Sequence, residues 1–325
     1  METASQSSQS DLGLTALQTH LCSQLVGREI LVERLLIALL TRGHILIEGA
    51  PGLAKTRAVK LFASAIEAKF SRIQFTPDLL PSDLTGTVVY QQAEGRFDFY
   101  HGPLFSNIVL VDEINRAPPK VQSALLEVMA ERQITVSGET RQLDEPFLVA
   151  ATQNSIEHEG TYPLPEAQLD RFLFTIEIDM PDIEGERKIL DLAMTENLNG
   201  SVMDNFVLPA DSLSAAWQLI PGVHVSEAIK DYIVRLTHAT REDVEDLNIA
   251  RYIEFPASPR ASIGMAQAAQ ARAWLHGRDH VLPEDVQCLA VDVLRGRIGL
   301  NYQGRAEGMS TTLVARQIVE RIAPL

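Results

Sequence analysis

Residues 49–56 read GAPGLAKT, one residue away from the pattern G-x-x-x-x-G-K-[ST] of phosphate-binding loops. Ala54 stands where that pattern has its second glycine. Because Ala54 lies next to the expected start of a helix, we predict that its φ angle is negative and that its methyl group causes no strain. Gly49 and Gly52 would supply the backbone freedom that the turn needs. An ordinary strand-to-helix turn is the alternative for this motif alone.

The flanking residues predict that the loop joins a strand to a helix. HILIEG (44–49) is a short apolar run that ends in glycine, and apolar residues recur at helical spacing after the loop, at Val59, Phe62, Ala63 and Ile66. Backbone N–H groups at such a helix N-terminus can surround a phosphate. Lys55 would reach the β- and γ-phosphates of ATP, and the Thr56 hydroxyl would bind Mg²⁺. The predicted nucleotide-binding residues are Gly49, Ala50, Pro51, Gly52, Leu53, Ala54, Lys55 and Thr56.

A second stretch, NIVLVDEINRAPP (107–119), supplies two carboxylates at the end of another strand. Residues 108–111 are four consecutive apolar residues, as expected of a strand buried on both faces of a parallel sheet. Asp112 would hold Mg²⁺ through water, and Glu113 would act as the general base on the attacking water. The alternative is an acidic cap before the helix predicted over 118–132, whose first turn contains a proline.

Two further segments complete the predicted core. The strand PFLVAATQN (146–154) ends in Asn154, whose amide could orient the attacking water, although an asparagine that only forms a turn fits equally well. QITVSGETRQL (133–143) alternates around a Ser-Gly pair and predicts a hairpin. Arg116 follows the acidic pair and could contact either a neighbouring subunit or a local carboxylate.

Composition limits the classes of function. The chain has 325 residues, is 46% hydrophobic and carries a formal net charge of -15, which argues against a broad nucleic-acid-binding face. Two cysteines without ligand spacing suggest neither a disulfide framework nor a zinc site, and they fit a cytoplasmic location. We expect residues 1–13 to be a disordered tail, and no apolar run is long enough to predict a membrane span.

The motifs, in this order, resemble those of the AAA+ ATPases and most specifically those of the MoxR family. The resemblance covers residues 20–325 and is carried by GAPGLAKT, FTPDLLPSDLTG (75–86), VDEINRAPPKVQSALLEVMAER (111–132), EGTYPLPEAQLDRF (159–172) and ASPRAS (257–262). Similar proteins also have alanine at the position of Ala54. Ser155, His158 and Gly296 depart from the residues that are common in the family, which puts the subfamily in doubt rather than hydrolysis.

The resemblance implies an α/β fold, an AAA+ P-loop NTPase core with a parallel sheet between helices. It also implies a helix-2 insert at 85–104, where alternating residues around Glu94-Gly95 support a hairpin, a pre-sensor 1 hairpin at 133–143 and a small all-α lid domain. We expect the large nucleotide-binding domain at 14–205 and the lid at 206–325. Within the lid, Ser226 is a predicted helix N-cap and Pro283 lies in the first turn of another helix.

The resemblance also assigns roles at matching positions. Lys55 and Thr56 resemble the Walker A pair, and Asp112 and Glu113 resemble the Walker B pair. Asn154 resembles the sensor 1 residue. From the motifs LDRF and ASPR, it identifies Arg171 as an arginine finger that serves the adjacent subunit and Arg260 as the sensor 2 arginine. A finger in trans implies a homo-oligomer, and the family implies a hexameric ring that works on a protein target with a partner carrying a von Willebrand factor A domain.

Three functions remain open at this point. The first is ATP-driven remodelling, chaperone-like maturation or metal-cofactor insertion of a protein target, which the resemblance favours. The second is a DNA-directed motor, although the loop 135–142 offers only Arg141 against Glu139 for a phosphate backbone. The third is a P-loop kinase of small molecules, which leaves Asn154, Arg171 and Arg260 unexplained.

Overall fold

The structure is a computed structural model that describes residues 13–50, 52–154, 160–199, 206–244 and 248–324. The predicted tail, apart from Gly13, lies outside the described residues, as do the predicted loop residue Pro51 and the departures Ser155 and His158. The chain forms two compact units. One, which we call the sheet unit, comprises Gly13–Pro163 and Ile176–Ser212. The other, the helical unit, includes Leu164–Thr175 and Leu213–Leu325.

The helices and strands follow one another along the chain with short connections. In order they are α1 (Leu14–Gln24), α2 (Glu29–Leu40), β1 (Ile45–Gly49), α3 (Lys55–Ala65), β2 (Phe70–Gln74), α4 (Pro81–Thr85), β3 (Gly86–Gln91), β4 (Arg96–His101), β5 (Ile108–Asp112), α5 (Pro119–Glu131), β6 (Gln133–Val136), β7 (Glu139–Gln142), β8 (Leu148–Gln153), α6 (Glu166–Leu169), β9 (Phe174–Ile178), α7 (Ile183–Asn199), α8 (Ala210–Leu219), α9 (Glu227–His238), β10 (Ile253–Phe255), α10 (Pro259–Leu275), α11 (Pro283–Leu294), β11 (Gly299–Leu300), α12 (Tyr302–Ala306) and α13 (Thr311–Arg321).

A five-stranded sheet in the order β2-β5-β8-β1-β9 confirms the predicted parallel core with helices around it. Residues 108–111 are fully buried, as expected for a central strand covered on both faces. Gln74 pairs with Asp112 across β2 and β5, and Glu48 pairs with Gln153 across β1 and β8. The register therefore brings the carboxyl ends of four strands to one edge of the sheet, where ligands of such sheets bind.

Both predicted hairpins are present in the sheet unit. β3 and β4 pair from Gly86 with His101 to Gln91 with Arg96, and β6 and β7 pair around the turn Ser137-Gly138. The hairpins lie close together, because the guanidinium of Arg141 on β7 lies 4.0 Å from the ring centre of Phe99 on β4.

The helical unit confirms the predicted lid helices and adds one short ladder. The Ser226 side chain accepts a hydrogen bond from the Ile229 N–H at the start of α9, and Pro283 is the first residue of α11. β10 and β11 pair antiparallel, so the lid is not entirely α-helical. Strands of two and three residues that meet across such a long sequence separation leave no local pattern. Within the described residues, no helix is long and apolar enough to cross a bilayer.

Candidate functional site

The loop 49–56 connects β1 to α3 as the sequence predicts. Gly49 ends β1, and a Cβ atom there would lie 2.7 Å from the carbonyl oxygen of Ile178, so a side chain at this position would clash with backbone. α3 begins at Lys55, and the carbonyl of Ala54 accepts its first helical hydrogen bond, from the Ala58 N–H at 2.9 Å. The N-terminus of α3 is therefore directly next to the loop.

The backbone of Ala54 differs from the prediction. Its φ is 59° and its ψ is 19°, in the left-handed region, so the expectation of a negative φ was wrong. The reason is that Ala54 is the N-cap residue, which lies outside the helix and turns the chain into it. A non-glycine residue in this conformation costs roughly 1–2 kcal/mol, which explains why the usual loop pattern has glycine here.

Most of the predicted nucleotide-site residues of the sheet unit, but not Gly49 or Ala50, meet at one cavity of about 410 Å³. Lys55 and Thr56 line it from α3, Asp112 and Glu113 from the end of β5, and Asn154 from just after β8. The lining also contains the loop residues Gly52, Leu53 and Ala54. Three strand ends that are distant in sequence thus contribute to a single polar cavity.

The ammonium group of Lys55 lies inside this arrangement. Its Nζ donates a hydrogen bond to the carbonyl oxygen of Gly49 at 2.8 Å. Burial lowers the pKa of Lys55, whereas the nearby carboxylates of Asp112 and Glu113 act in the opposite direction. The cation and the two carboxylates are therefore close enough to interact electrostatically.

Asp112 is buried and uses both of its carboxylate oxygens. Oδ1 accepts a hydrogen bond from the hydroxyl of Thr152 on β8 at 3.2 Å, and Oδ2 accepts one from Nε of Arg72 on β2 at 2.6 Å. The side chain of Arg72 is 53% exposed, so this cation is accessible to solvent. Asp112 therefore already interacts with a positive charge that a bound cation could replace.

Glu113 has a left-handed backbone, with a φ of 58°, directly after β5. Its Oε2 accepts hydrogen bonds from Nε2 of Gln74 at 2.8 Å and pairs with Nη1 of Arg116 at 3.2 Å. Its backbone N–H donates to the hydroxyl of Thr152 at 3.1 Å. The pair with Arg116 is the local carboxylate contact that the sequence offered as one of two alternatives.

Sequence analysis missed Arg72 and Gln74, the two residues of β2 that contact the acidic pair. A usable signal existed, because residues two apart on a strand share one face, and β2 ends in the alternation Arg-Ile-Gln. Only the register of β2 beside β5 shows which carboxylates this face reaches. Both side chains line the 410 Å³ cavity.

The donor set of this cavity fits Mg²⁺ and a phosphate group. Mg²⁺ prefers oxygen ligands and takes one or two of them from the protein, which the Thr56 hydroxyl and the Asp112 carboxylate can supply. A phosphate would meet the Lys55 ammonium and the N-terminus of α3. The site could thus bind a magnesium nucleotide once the Arg72–Asp112 and Lys55–Gly49 contacts are exchanged.

A second cavity, of about 480 Å³, shares the wall formed by the loop residues 52–54. Its other walls combine apolar side chains with polar ones: Leu25, Val26, Met180, Pro181 and Ile189 on the one hand, and Gln24, Arg28, Arg57 and Glu186 on the other. No sequence pattern indicated this cavity, because its residues belong to three segments far apart in the chain. A flat apolar group linked to a phosphate would fit across the shared loop.

Arg171 and Arg260, which the family motifs identified, both belong to the helical unit. Arg171 follows α6, and Arg260 is the second residue of α10. Nη1 of Arg260 lies 3.6 Å from Oδ2 of Asp170, the residue that precedes Arg171. The structure therefore brings these two motifs together, through a carboxylate that sequence analysis did not single out.

Comparison with family models finds two matches along the chain. Residues 44–174 match the model of the ATPase family associated with various cellular activities (AAA), and residues 245–322 match the model of the AAA lid domain. The first match contains the loop, the acidic pair, Asn154 and Arg171. The second contains Arg260.

Individual relatives match over nearly the whole chain. Chaperone MoxR1 of Mycobacterium tuberculosis is 46% identical over 92% of this chain and 79% of the relative. Protein MoxR of Paracoccus denitrificans is 33% identical over 89% of this chain and 90% of the relative. The crystal structure of a proposed ATPase from Cytophaga hutchinsonii aligns with a TM-score of 0.87 at 42% identity, covering 100% of this chain and 98% of the other.

Proposed function

Because the chain belongs to the MoxR family of AAA+ ATPases, we propose that it couples magnesium-dependent hydrolysis of ATP in a ring oligomer to the remodelling of a protein target. The observation that supports this most strongly is the meeting of Lys55, Thr56, Asp112, Glu113 and Asn154 at one cavity of about 410 Å³. We further propose that residues 14–205 act as the nucleotide-binding domain and 206–325 as the lid.

Each side chain has a chemical role in this proposal. Lys55, whose Nζ now donates to the Gly49 carbonyl, would bind the β- and γ-phosphates instead. Thr56 and Asp112 would hold Mg²⁺, which supplies charge neutralisation for the transferred phosphoryl group. The Glu113 carboxylate accepts a proton from the attacking water, and the Asn154 amide orients that water. The contacts of Glu113 with Gln74 and Arg116 both involve Oε2, so accepting the proton at that oxygen would require their release.

The apolar cavity of about 480 Å³ provides the place for the adenine base. Nucleotide sites bury most of a flat ligand against apolar side chains and fix it with few polar groups. Leu25, Val26 and Ile189 offer such a surface, and the loop residues 52–54 separate it from the phosphate side. The two cavities together therefore suit a nucleoside triphosphate better than a free phosphate.

The two motif arginines extend the proposal to an assembly. Arg171 would stabilise the transition state at the nucleotide of the adjacent subunit, and Arg260 would contact the nucleotide of its own subunit. A finger that acts in trans requires a head-to-tail interface, and such interfaces close into rings when the rotation allows it. We propose a hexameric ring on the basis of the family.

The target and partner follow from the family as well. We propose that the ring acts with a separate protein that carries a von Willebrand factor A domain, in chaperone-like maturation or metal-cofactor insertion of a target protein. One relative is named Chaperone MoxR1, in keeping with work on protein targets. A cytoplasmic location remains a prediction from the sequence.

A contact in the hairpin β6–β7 argues against the DNA-directed alternative. Arg141, the cation that could follow a phosphate backbone, pairs with Glu139 and lies over the ring of Phe99. A guanidinium held by a carboxylate and an aromatic ring contributes less to phosphate binding than one facing solvent. The small-molecule kinase alternative still leaves Asn154, Arg171 and Arg260 without a role.

The proposal is tested with Glu113→Gln, matched by Glu127→Gln on the exposed face of α5 as a control of the same chemistry. We expect Glu113→Gln to lower steady-state ATP turnover by about a thousandfold while its affinity for ATP stays within about twofold of parental. Glu127→Gln should behave as the parental protein. Turnover is measured as phosphate release and affinity by equilibrium dialysis with Mg²⁺ and ATP.

Parental turnover in Glu113→Gln would show that this carboxylate is not the base. Loss of ATP binding in the same variant would assign it to binding instead. The partner proposal uses the same variant as bait in the presence of ATP: recovery of a protein with a von Willebrand factor A domain supports it, and recovery of nucleic acid alone favours the DNA-directed motor.

A further inference from the structure

Asp170, which precedes Arg171 in the chain, lies at the centre of an ionic network that includes Arg260. Its Oδ1 accepts a hydrogen bond from Nε of Arg297 at 3.1 Å. Its Oδ2 accepts one from the Ser258 hydroxyl at 2.9 Å and lies 3.6 Å from Nη1 of Arg260. The carboxylate next to Arg171 is thus held by three residues of the lid, one of which is Arg260.

Arg297 fixes the backbone that follows Arg171. Its side chain is 5% exposed, and it donates hydrogen bonds to the carbonyl oxygens of Phe172 at 2.5 Å and Leu173 at 2.9 Å. It also donates to the carbonyl oxygen of Val293, in α11, at 2.6 Å. Burial lowers the pKa of Arg297 to about 10, with Asp170 acting in the opposite direction, so the guanidinium remains charged at neutral pH.

Ser258 ties the same carboxylate to the helix that presents Arg260. It is the N-cap of α10, where its hydroxyl accepts the Arg260 N–H at 3.2 Å while donating to Asp170. Gly296 allows the remaining close contact, because a Cβ there would lie 2.0 Å from Oγ1 of Thr175. The segment after α6 is therefore packed into the helical unit at several independent points.

We propose that Asp170 and Arg297 are positioning residues that make the segment Asp170–Leu173 move with α10, so that the response of Arg260 to its own nucleotide sets the position of Arg171 at the neighbouring one. This inference rests on the roles proposed above for the two arginines. Neither Asp170 nor Arg297 touches the nucleotide in it. Within each subunit, coupling between adjacent sites then passes through this network.

The geometry explains why such a link transmits motion. The Arg260 side chain is 62% exposed and its pair with Asp170 is long, so it can exchange this carboxylate for a phosphate. Asp170 keeps its contacts with Arg297 and Ser258 when that happens. A displacement of α10 is then passed to the residues around Arg171, and a misplacement of about 1 Å can lower a rate by about a hundredfold.

The experiment compares Asp170→Asn and the milder Ser258→Ala with Asp285→Asn. Asp285 is a fully buried carboxylate of the same unit that pairs with Arg272 and Arg278, so its loss perturbs the lid away from Asp170. For Asp170→Asn we expect turnover about a hundredfold below parental with ATP affinity within about twofold. Ser258→Ala should lose less, and folded Asp285→Asn should keep its turnover within about twofold of parental.

Mixing with Glu113→Gln subunits distinguishes a misplaced Arg171 from a damaged nucleotide site in the Asp170→Asn subunit. Glu113→Gln subunits carry an intact Arg171, so they should restore turnover to Asp170→Asn subunits whose own sites are intact. Random one-to-one mixing places the two subunits in the productive order at about a quarter of the interfaces, which sets the recovery expected. Arg171→Ala mixed with Glu113→Gln is the reference for this rescue.

The outcomes distinguish failure of the proposed finger in trans from failure of the coupling role alone. Failure of the Arg171→Ala reference mixture would remove the finger in trans, and this inference with it. Three results would overturn the coupling role while leaving the proposed function. The first is rescue in the reference mixture without rescue of Asp170→Asn. The others are parental turnover of Asp170→Asn alone and an equal loss of turnover in folded Asp285→Asn. Rescue of both Asp170→Asn and Arg171→Ala supports it.

Discussion

Asp112 in the sheet unit and Asp285 in the helical unit are both buried aspartates that pair with arginine, yet their surroundings differ. Asp112 pairs with Arg72, whose side chain is 53% exposed, at the edge of a cavity. Asp285 pairs with Arg272 and Arg278, whose side chains are only 18% and 23% exposed. It also accepts the backbone N–H of Leu282 at the start of α11.

The difference shows that an ion pair between a buried aspartate and arginine can either be exchanged for a bound cation or stabilise the fold. Burial alone raises the pKa of Asp285, but the hydrogen bonds from Arg278, the Leu282 N–H and Arg272 outweigh it and lower the pKa. All its partners are fixed by the fold. Asp112 has one partner that can move into solvent, which leaves an oxygen for a bound cation. We therefore expect function to depend on Asp112 and folding on Asp285.

The largest expected effect comes from exchanging each carboxylate for an amide. Asp285→Asn should lower the free energy of unfolding by about 3 kcal/mol, because it removes a fully buried counter-charge from two partly buried guanidinium groups. Asp112→Asn should lower it by less than about 1 kcal/mol, since Arg72 can turn to water. Asp112→Asn should instead lower ATP turnover by at least about a hundredfold through loss of the metal ligand.

Urea unfolding and phosphate release, measured on both variants, test this contrast. If Asp112→Asn destabilised the protein as much as Asp285→Asn, the pair with Arg72 would be a structural ion pair rather than an exchangeable one. A turnover of Asp112→Asn that depends on the Mg²⁺ concentration as the parental turnover does would likewise contradict its proposed role.

The next expected effect is a pH dependence of stability in the sheet unit, caused by a buried histidine. His44 accepts the Val149 N–H at Nδ1, at 3.0 Å, and its Nε2 lies 3.1 Å from the carbonyl oxygen of Met129. The neutral ring with its proton on Nε2 satisfies both contacts, and burial lowers its pKa to about 4. Between pH 6.5 and 4 the unfolded chain therefore binds more protons than the folded one at this position.

The sheet unit should therefore lose roughly 3 kcal/mol of stability through His44 as the pH falls from 6.5 to 4. His44→Gln, which keeps a donor and an acceptor but does not titrate, should lack this part of the pH dependence. Urea unfolding at several pH values, followed for both proteins, measures it. Parallel pH profiles for the two proteins would show that His44 is not the group responsible.

The smallest effect concerns the strained residue of the loop. Ala54→Gly removes the penalty of a left-handed alanine but increases the freedom of the unfolded chain, so the free energy of unfolding should change by less than about 1 kcal/mol. ATP affinity should stay within about twofold of parental. A large loss of affinity would mean that the Ala54 methyl group contacts the nucleotide, which calorimetric titration would detect.

Local patterns predicted the core of the fold, since they depend only on residues near one another in the chain. The apolar run 108–111, the helix after Lys55 and both hairpins are where periodicity indicated them. The φ of Ala54 was mispredicted because the last loop residue was treated as helical. Arg72, Asp170 and Arg297 were missed for another reason: each contacts a segment far away in sequence, and only strand register and tertiary packing create those contacts.

The shared wall of residues 52–54 has a consequence for the selectivity of the site. Since this wall borders both cavities, a substitution in it would alter the proposed environment of the base and that of the phosphates together. Val26 and Ile189 border only the apolar cavity. A version of the enzyme tuned to an ATP analogue with an enlarged base is therefore best sought by trimming those two side chains, which leaves the hydrolytic groups in their native surroundings.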